Sequence, residues 1–113
     1  MASPTARSLD SLRKQGMTVA TVERWNAFAK IRQDVYGWMD LLAMDGKAIY
    51  GIQVTSDTNR SARREKILAE PRAKKWVESG GKILLHTWGK HGDRGKRKTW
   101  ELHSEDITII NFI

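Results

Sequence analysis

Apolar positions along the chain gather into two dense runs around a turn. Trp38, Met39, Leu41, Leu42, Ala43 and Met44 form the first. Asp45-Gly46 follows as a two-residue turn signal, and Ala48, Ile49, Tyr50, Ile52 and Val54 form the second. This pattern predicts a β-hairpin over 37–56 with strands apolar enough to be buried on both faces. Upstream, Leu9 and Leu12 are an i, i+3 pair. They predict a short helix capped by Ser3 or Thr5, running through Gln15 and stopped by Gly16. Met17 to Trp25 alternates and predicts a strand, whereas Asn26 to Tyr36 has no clean period and reads as a loop or a short turn of helix.

Beyond the hairpin, Ser56, Asp57, Thr58 and Asn59 are turn and cap residues. Ala62 to Ala69 and, past Pro71, Arg72 to Ser79 read as two helical pieces ended by Gly80-Gly81. Lys82 to Trp88 predicts a strand that enters the core. Gly89 to Lys98 predicts an exposed loop, and Thr99 to His103 a returning strand. Glu105 and Asp106 then precede an apolar tail, Ile107 to Ile113. A helical crossover between Thr55 and Lys82 lets the KILLHTW strand lie parallel to IYGIQVT. The expected fold is therefore one α/β domain over 1–113, an α/β/α sandwich on a central mixed sheet with the hairpin in its middle.

Polar residues break the hairpin at three positions: Asp40 in the first strand, Gln53 and Thr55 in the second. Leaving a buried charge unpaired costs about 3–5 kcal/mol, so Asp40 calls for a partner, a set of hydrogen bonds or a metal.

Charge adds a second signal. The chain carries 20 Lys plus Arg against 13 Asp plus Glu, a net +7. From Arg60 to Lys98 there are thirteen basic and four acidic residues, so the excess is concentrated there. Such a half suits a polyanion, most often nucleic acid. Zero cysteines exclude disulfides and thiolate metal sites, and His86, His91 and His103 lack metal-ligand spacing. No apolar run is long enough to cross a bilayer and the first residues lack a secretory pattern, so the expected location is intracellular, cytoplasmic, in a host or a virus.

The stretch GWMDLLAMDG…AIYGIQVTS, set in an α-β-β-β-α-β order, resembles the PD-(D/E)XK, restriction-endonuclease-like nucleases. It is most similar to archaeal-type Holliday junction resolvases and virus-type replication-repair nucleases, whose outline is G-x-P-D, apolar run, turn, apolar run, E-V-K-S. The resemblance spans Ser8 to Leu102. It implies a DNA endonuclease acting with Mg²⁺ or Mn²⁺ on branched DNA, as a homodimer in which the apolar tail is a candidate interface. By that resemblance Asp40 anchors the metal, Gln53 is a neutral ligand and the Val54 carbonyl a third. Lys66 or Thr55 orients water, and Glu23 or Asp10 completes the shell or acts as base. Arg60, Arg63 and Arg64 on the following helix, with Lys90, Arg94, Lys96, Arg97 and Lys98 in the Gly-rich loop, are the expected DNA contacts.

Two positions depart from the family pattern. Gln53 stands where Glu is usual and removes one negative charge from the metal site. Thr55 stands where Lys is usual and supplies no cation, which makes Lys66 the candidate replacement. Other readings fit the same residues. Asp40 can be satisfied by backbone amides or by an arginine such as Arg32, and the fold can bind DNA without cutting it. The basic half can also meet an acidic protein instead.

Overall fold

Ser3 accepts a hydrogen bond from Ala6 N–H at 3.1 Å, and Pro4 needs no donor in the first turn, so helix α1 (Pro4–Lys14) starts there. It ends at Gly16, whose positive φ of 87° suits a residue without a Cβ. The remaining elements are β1 (Thr18–Thr21), β2 (Arg24–Asn26), β3 (Ile31–Gln33), β4 (Leu41–Met44), β5 (Ile49–Ser56), α2 (Arg60–Ala69), α3 (Pro71–Glu78), β6 (Lys82–His91) and β7 (Thr99–Ile107). They come from a computed structural model that describes residues 2–92 and 95–113. Arg94, one of the expected DNA contacts, lies outside the described residues.

Five strands form a mixed sheet in the order β1-β4-β5-β6-β7, and β2 and β3 form a separate two-stranded sheet. Only β5 and β6 are parallel; the other neighbours in the large sheet are antiparallel. Helix α1 covers one face, where Leu12 packs with Leu41, Ala43, Ile52, Val54, Leu84 and Trp88. Helices α2 and α3 cover the other, where Ile67 and Ala73 pack with Trp38, Met39, Ile83, Leu85 and Ile107. The chain is thus an α/β/α sandwich, and no helix among the described residues is long and apolar enough to cross a membrane.

Several local expectations change. The strand expected over Met17 to Trp25 breaks after Thr21, because β4 offers no ladder partner beyond Leu41. Val22 and Glu23 instead donate their N–H groups to the Asp40 carbonyl, and the chain leaves the sheet. It returns as the β2–β3 hairpin, within a region that has no sequence period because its strands are three residues long and mostly exposed.

β4 is also shorter and wetter than expected. Leu41 and Ala43 are buried, but Leu42 and Met44 are exposed on the opposite face, so the run alternates. Helices α2 and α3 lie over β5 and β6 and leave that face of β4 bare. The buried Trp38 and Met39 belong to the approach to β4. They sit so close over Gly51 that an added Cβ would collide with the Trp38 ring.

The Asp45-Gly46 signal lies in a four-residue connection, since Met44 and Ile49 are the last pair. Asp45 caps it by accepting from the N–H groups of Lys47 and Ala48, both at 2.9 Å. β6 runs on to His91, and β7 runs on to Ile107, so Glu105 is a strand residue and Ile107 is core. Of the expected apolar tail, Ile110 and Ile113 are exposed.

Candidate functional site

The β4–β5 ladder ends at the Leu41–Ile52 pair while β5 runs on to Ser56 beside β6, and the site occupies the notch this leaves. Asp40 N–H still donates to the Ile52 carbonyl at 2.9 Å, which fixes Asp40 at the end of the ladder. Its carboxylate Oδ2 then accepts from Val54 N–H at 2.9 Å and from Gln53 Nε2 at 2.7 Å. In a strand the N–H and C=O of one residue point to the same edge, so the Val54 carbonyl also faces the notch. Asp40 and Gln53 are both buried, 5% and 2% exposed. Gln53 Oε1 has no hydrogen-bond partner, which is rare for a buried amide oxygen.

Glu23 is the second carboxylate of the site. The two bonds to the Asp40 carbonyl bring it there, and its side chain accepts from Thr5 on α1 at 3.4 Å and from Arg32 on β3 at 3.5 Å. A depression of about 450 Å³ opens on its flank, lined by Ser3, Thr5, Thr21, Glu23 and Arg32 among others.

Burial pushes the Asp40 carboxyl up to about 7. The Val54 N–H opposes this, while the negative charges of Glu23 and Asp34 and a hydrogen bond shared with Glu23 add to it. A carboxylate in this setting gains by taking up a proton or a cation. Among the described residues, no three His, Cys, Asp or Glu side chains form a ready-made metal cage. The polar groups gathered at the notch are the Asp40 and Glu23 carboxylates, the Gln53 amide and the Val54 carbonyl.

Other expected site residues divide sharply. Lys66 Nζ lies 3.4 Å from Asp34 Oδ2, so it reaches the rim of the site through a carboxylate that carries no assigned role in the sequence reading. Thr55 is buried on the same face of β5 as Gln53, two residues on. Asp10 does not join the site. It is exposed on α1 and paired with Lys14 at 3.0 Å, four residues along the same helix. Arg32 pairs with Glu23, not with Asp40.

The basic set divides as well. Arg60 and Arg64 both grip Glu105 on β7, Arg64 Nε at 2.8 Å. Burial raises the Glu105 carboxyl, but the bonds and charges of Arg64 and Arg60 outweigh it and hold the group below its ordinary range. These two arginines therefore tie α2 to the sheet edge instead of forming an open basic face. Arg63 is half-buried, whereas Lys90, Lys96, Arg97 and Lys98 are exposed along the β6–β7 connection. Lys90 and Arg7 both lie over the Trp100 ring, at 5.6 and 4.3 Å.

A second buried polar cluster escaped the sequence reading. On the α1 face, Trp88 Nε1 donates to Ser8 Oγ at 2.8 Å, and Ser8 Oγ meets His86 Nδ1 at 2.8 Å. Burial holds His86 down at about 4, so it is neutral and shares one hydrogen bond with Ser8. The sequence places His86 and Trp88 in one strand and Ser8 in the first helix, but nothing in it pairs them.

No protein-family model matches the chain, and no curated protein and no solved structure matches it.

Proposed function

We propose that the chain is a DNA-binding, metal-dependent endonuclease of the restriction-endonuclease-like type, with its site in the notch between Asp40 and Val54. The observation that carries this reading is a buried Asp40 carboxyl beside a second carboxylate, Glu23, and hydrogen-bonded to a buried Gln53 whose Oε1 lacks a partner. Every oxygen there is a hard donor, which suits Mg²⁺ or Mn²⁺ and fits the group that the sequence resemblance implies. Asp40, Glu23, Gln53 Oε1 and the Val54 carbonyl would hold it. When bound, such a cation lowers the pKa of a water and offsets charge on the scissile phosphate.

The chain's own residues do the rest. Asp40 and Glu23 supply the negative charge that a single carboxylate lacks. Gln53 orients Asp40 through its amide. Lys66, steadied by Asp34, carries its ammonium at the rim, where it can meet a phosphate. Thr55 offers a hydroxyl beside Gln53. The exposed Lys90, Lys96, Arg97 and Lys98 supply backbone contacts that set orientation but not sequence. Branched DNA and a homodimer with two sites are the finer form of the proposal. Exposed Ile110 and Ile113 support an interface at that end.

One observation favours a second reading. Gln53 turns its Nε2, not its oxygen, to Asp40, as a purely structural pair would. A module that binds DNA without cutting it fits that arrangement, although amide nitrogen and oxygen exchange by a simple flip.

Incubation of the protein with a labelled four-way junction and a linear duplex, in Mg²⁺, Mn²⁺ or EDTA, separates the two. The nuclease reading expects metal-dependent cleavage that falls at least about a hundredfold in Asp40→Ala, since even outer-shell losses reach that scale. Undiminished cleavage in Asp40→Ala sinks the site. Binding without cleavage in either metal selects the module.

A further inference from the structure

The β2–β3 hairpin leaves the sheet directly from the candidate site. Glu23 precedes β2 by one residue, Asp34 follows β3 by one residue, and Arg32 on β3 pairs with Glu23. Its apex is built, not slack. Asn26 Oδ1 accepts from both Phe28 N–H and Ala29 N–H at 3.0 Å, Asn26 Nδ2 donates to Gln33 across the strands, and Lys30 closes the loop at a φ of 54°. That capped turn presents Phe28 fully to solvent, 101% exposed, with Trp25 and Ile31 more than half exposed on the stem. An ordered arm with bare aromatic and apolar side chains marks an interaction surface.

Charge selects its occupant. Arg24, Lys30 and Arg32 are interleaved with the apolar residues, and 24–33 contains no acidic residue. A second copy of the chain packed here about a two-fold axis would set three cations against three. Aromatic side chains alternating with cations are instead the surface on which bases stack while the phosphate backbone is neutralised.

We propose that the β2–β3 hairpin is a stacking arm for unpaired nucleic-acid bases, with Phe28 at its tip, next to the Asp40 notch. It deepens the nucleic-acid reading above, on which it rests: the preferred substrate class is DNA with unstacked bases beside the cut. Phe28 stacks on a splayed base, Trp25 extends the platform along the stem, and Arg24 and Lys30 follow the backbone.

The test is binding in EDTA, where cleavage plays no part. Short labelled DNAs, one fully paired and one carrying a fluorescent purine analogue in an unpaired bulge, are titrated with wild type, Phe28→Ala and Phe28→Trp. Phe28→Ala is expected to weaken the bulged DNA about tenfold, the scale of one lost base stack, and to leave the paired DNA within about twofold. Phe28→Trp restores the affinity and quenches the analogue. Equal effects of Phe28→Ala on both DNAs, no effect on either, or a change of association state in sedimentation instead of DNA preference overturns the proposal. If wild type binds neither DNA, the nucleic-acid reading falls with it. If it binds the bulge through Phe28 but never cleaves DNA in Mg²⁺ or Mn²⁺, the arm stands and the nuclease reading alone fails.

Discussion

Two polar clusters are buried on the central sheet, and they are built to opposite ends. In the Ser8–His86–Trp88 cluster the indole donates to the serine hydroxyl, the hydroxyl pairs with the imidazole, and the imidazole is neutral. It locks α1 onto β6 and asks for nothing more. In the Asp40–Gln53–Glu23 cluster the charge is left over: a buried carboxyl beside a second carboxylate, and an amide oxygen without a donor. Burial alone does not separate structure from function; residual demand does. A satisfied network holds a fold together, whereas on the proposed reading the unsatisfied one is completed by a cation.

The difference is broken most forcefully from the satisfied side. Ser8→Ala leaves His86 Nδ1 and Trp88 Nε1 without their partner in the core. Each orphaned group costs about 1–3 kcal/mol, so a total loss of about 2–6 kcal/mol is expected by denaturant unfolding. The unsatisfied cluster responds with the opposite sign. Asp40→Asn removes the ionised group, and in EDTA at pH 8 it is expected to raise stability by on the order of 2 kcal/mol, about half the ceiling that the raised pKa sets. A matching loss in that variant would make Asp40 an ordinary structural residue.

The two clusters also pull apart with pH. Between the ordinary Asp value of 3.8 and about 7, the folded state holds a proton on Asp40 that the unfolded chain has released. This contribution is therefore full below about 4 and lost as pH rises toward 7. His86 runs the other way. Between 6.5 and about 4 the unfolded chain binds a proton that the folded state refuses, so its contribution is full above 6.5 and lost as pH falls. Each slope is at most about 1.4 kcal/mol per pH unit, and in wild type they offset one another across the shared window. In Asp40→Asn only the rising limb from His86 remains, which urea titrations at pH 4, 5 and 6 resolve.

The sequence made one of these clusters legible and hid the other. Asp40, Gln53 and Thr55 stood out because they interrupt apolar runs, and the parallel β5–β6 pair followed from the helical crossover between them. Glu23 was reachable only as a candidate beside Asp10, because the fold chooses between them by turning the chain at Asp40, a contact seventeen residues away. Asp34 and the β2–β3 hairpin left no periodic signal, since three-residue strands that are mostly exposed need no apolar face. Arg60 and Arg64 read as a DNA-facing set because their partner, Glu105, lies more than forty residues on and reads as part of the approach to an apolar tail beyond the strand. Ser8 and His86 are each unremarkable alone, and only the docking of α1 on β6 makes them a pair.

The most direct test of cation binding at the Asp40 notch is the melting temperature of wild type and Asp40→Asn at pH 8, in EDTA and in Mn²⁺. At a tenfold excess over the dissociation constant, Mn²⁺ is expected to stabilise wild type by about 1.4 kcal/mol, a shift of several degrees. Asp40→Asn, already stabilised in EDTA, is expected to gain little or nothing. A wild type that melts at the same temperature with and without the cation, or an Asp40→Asn that gains as much, would contradict the account.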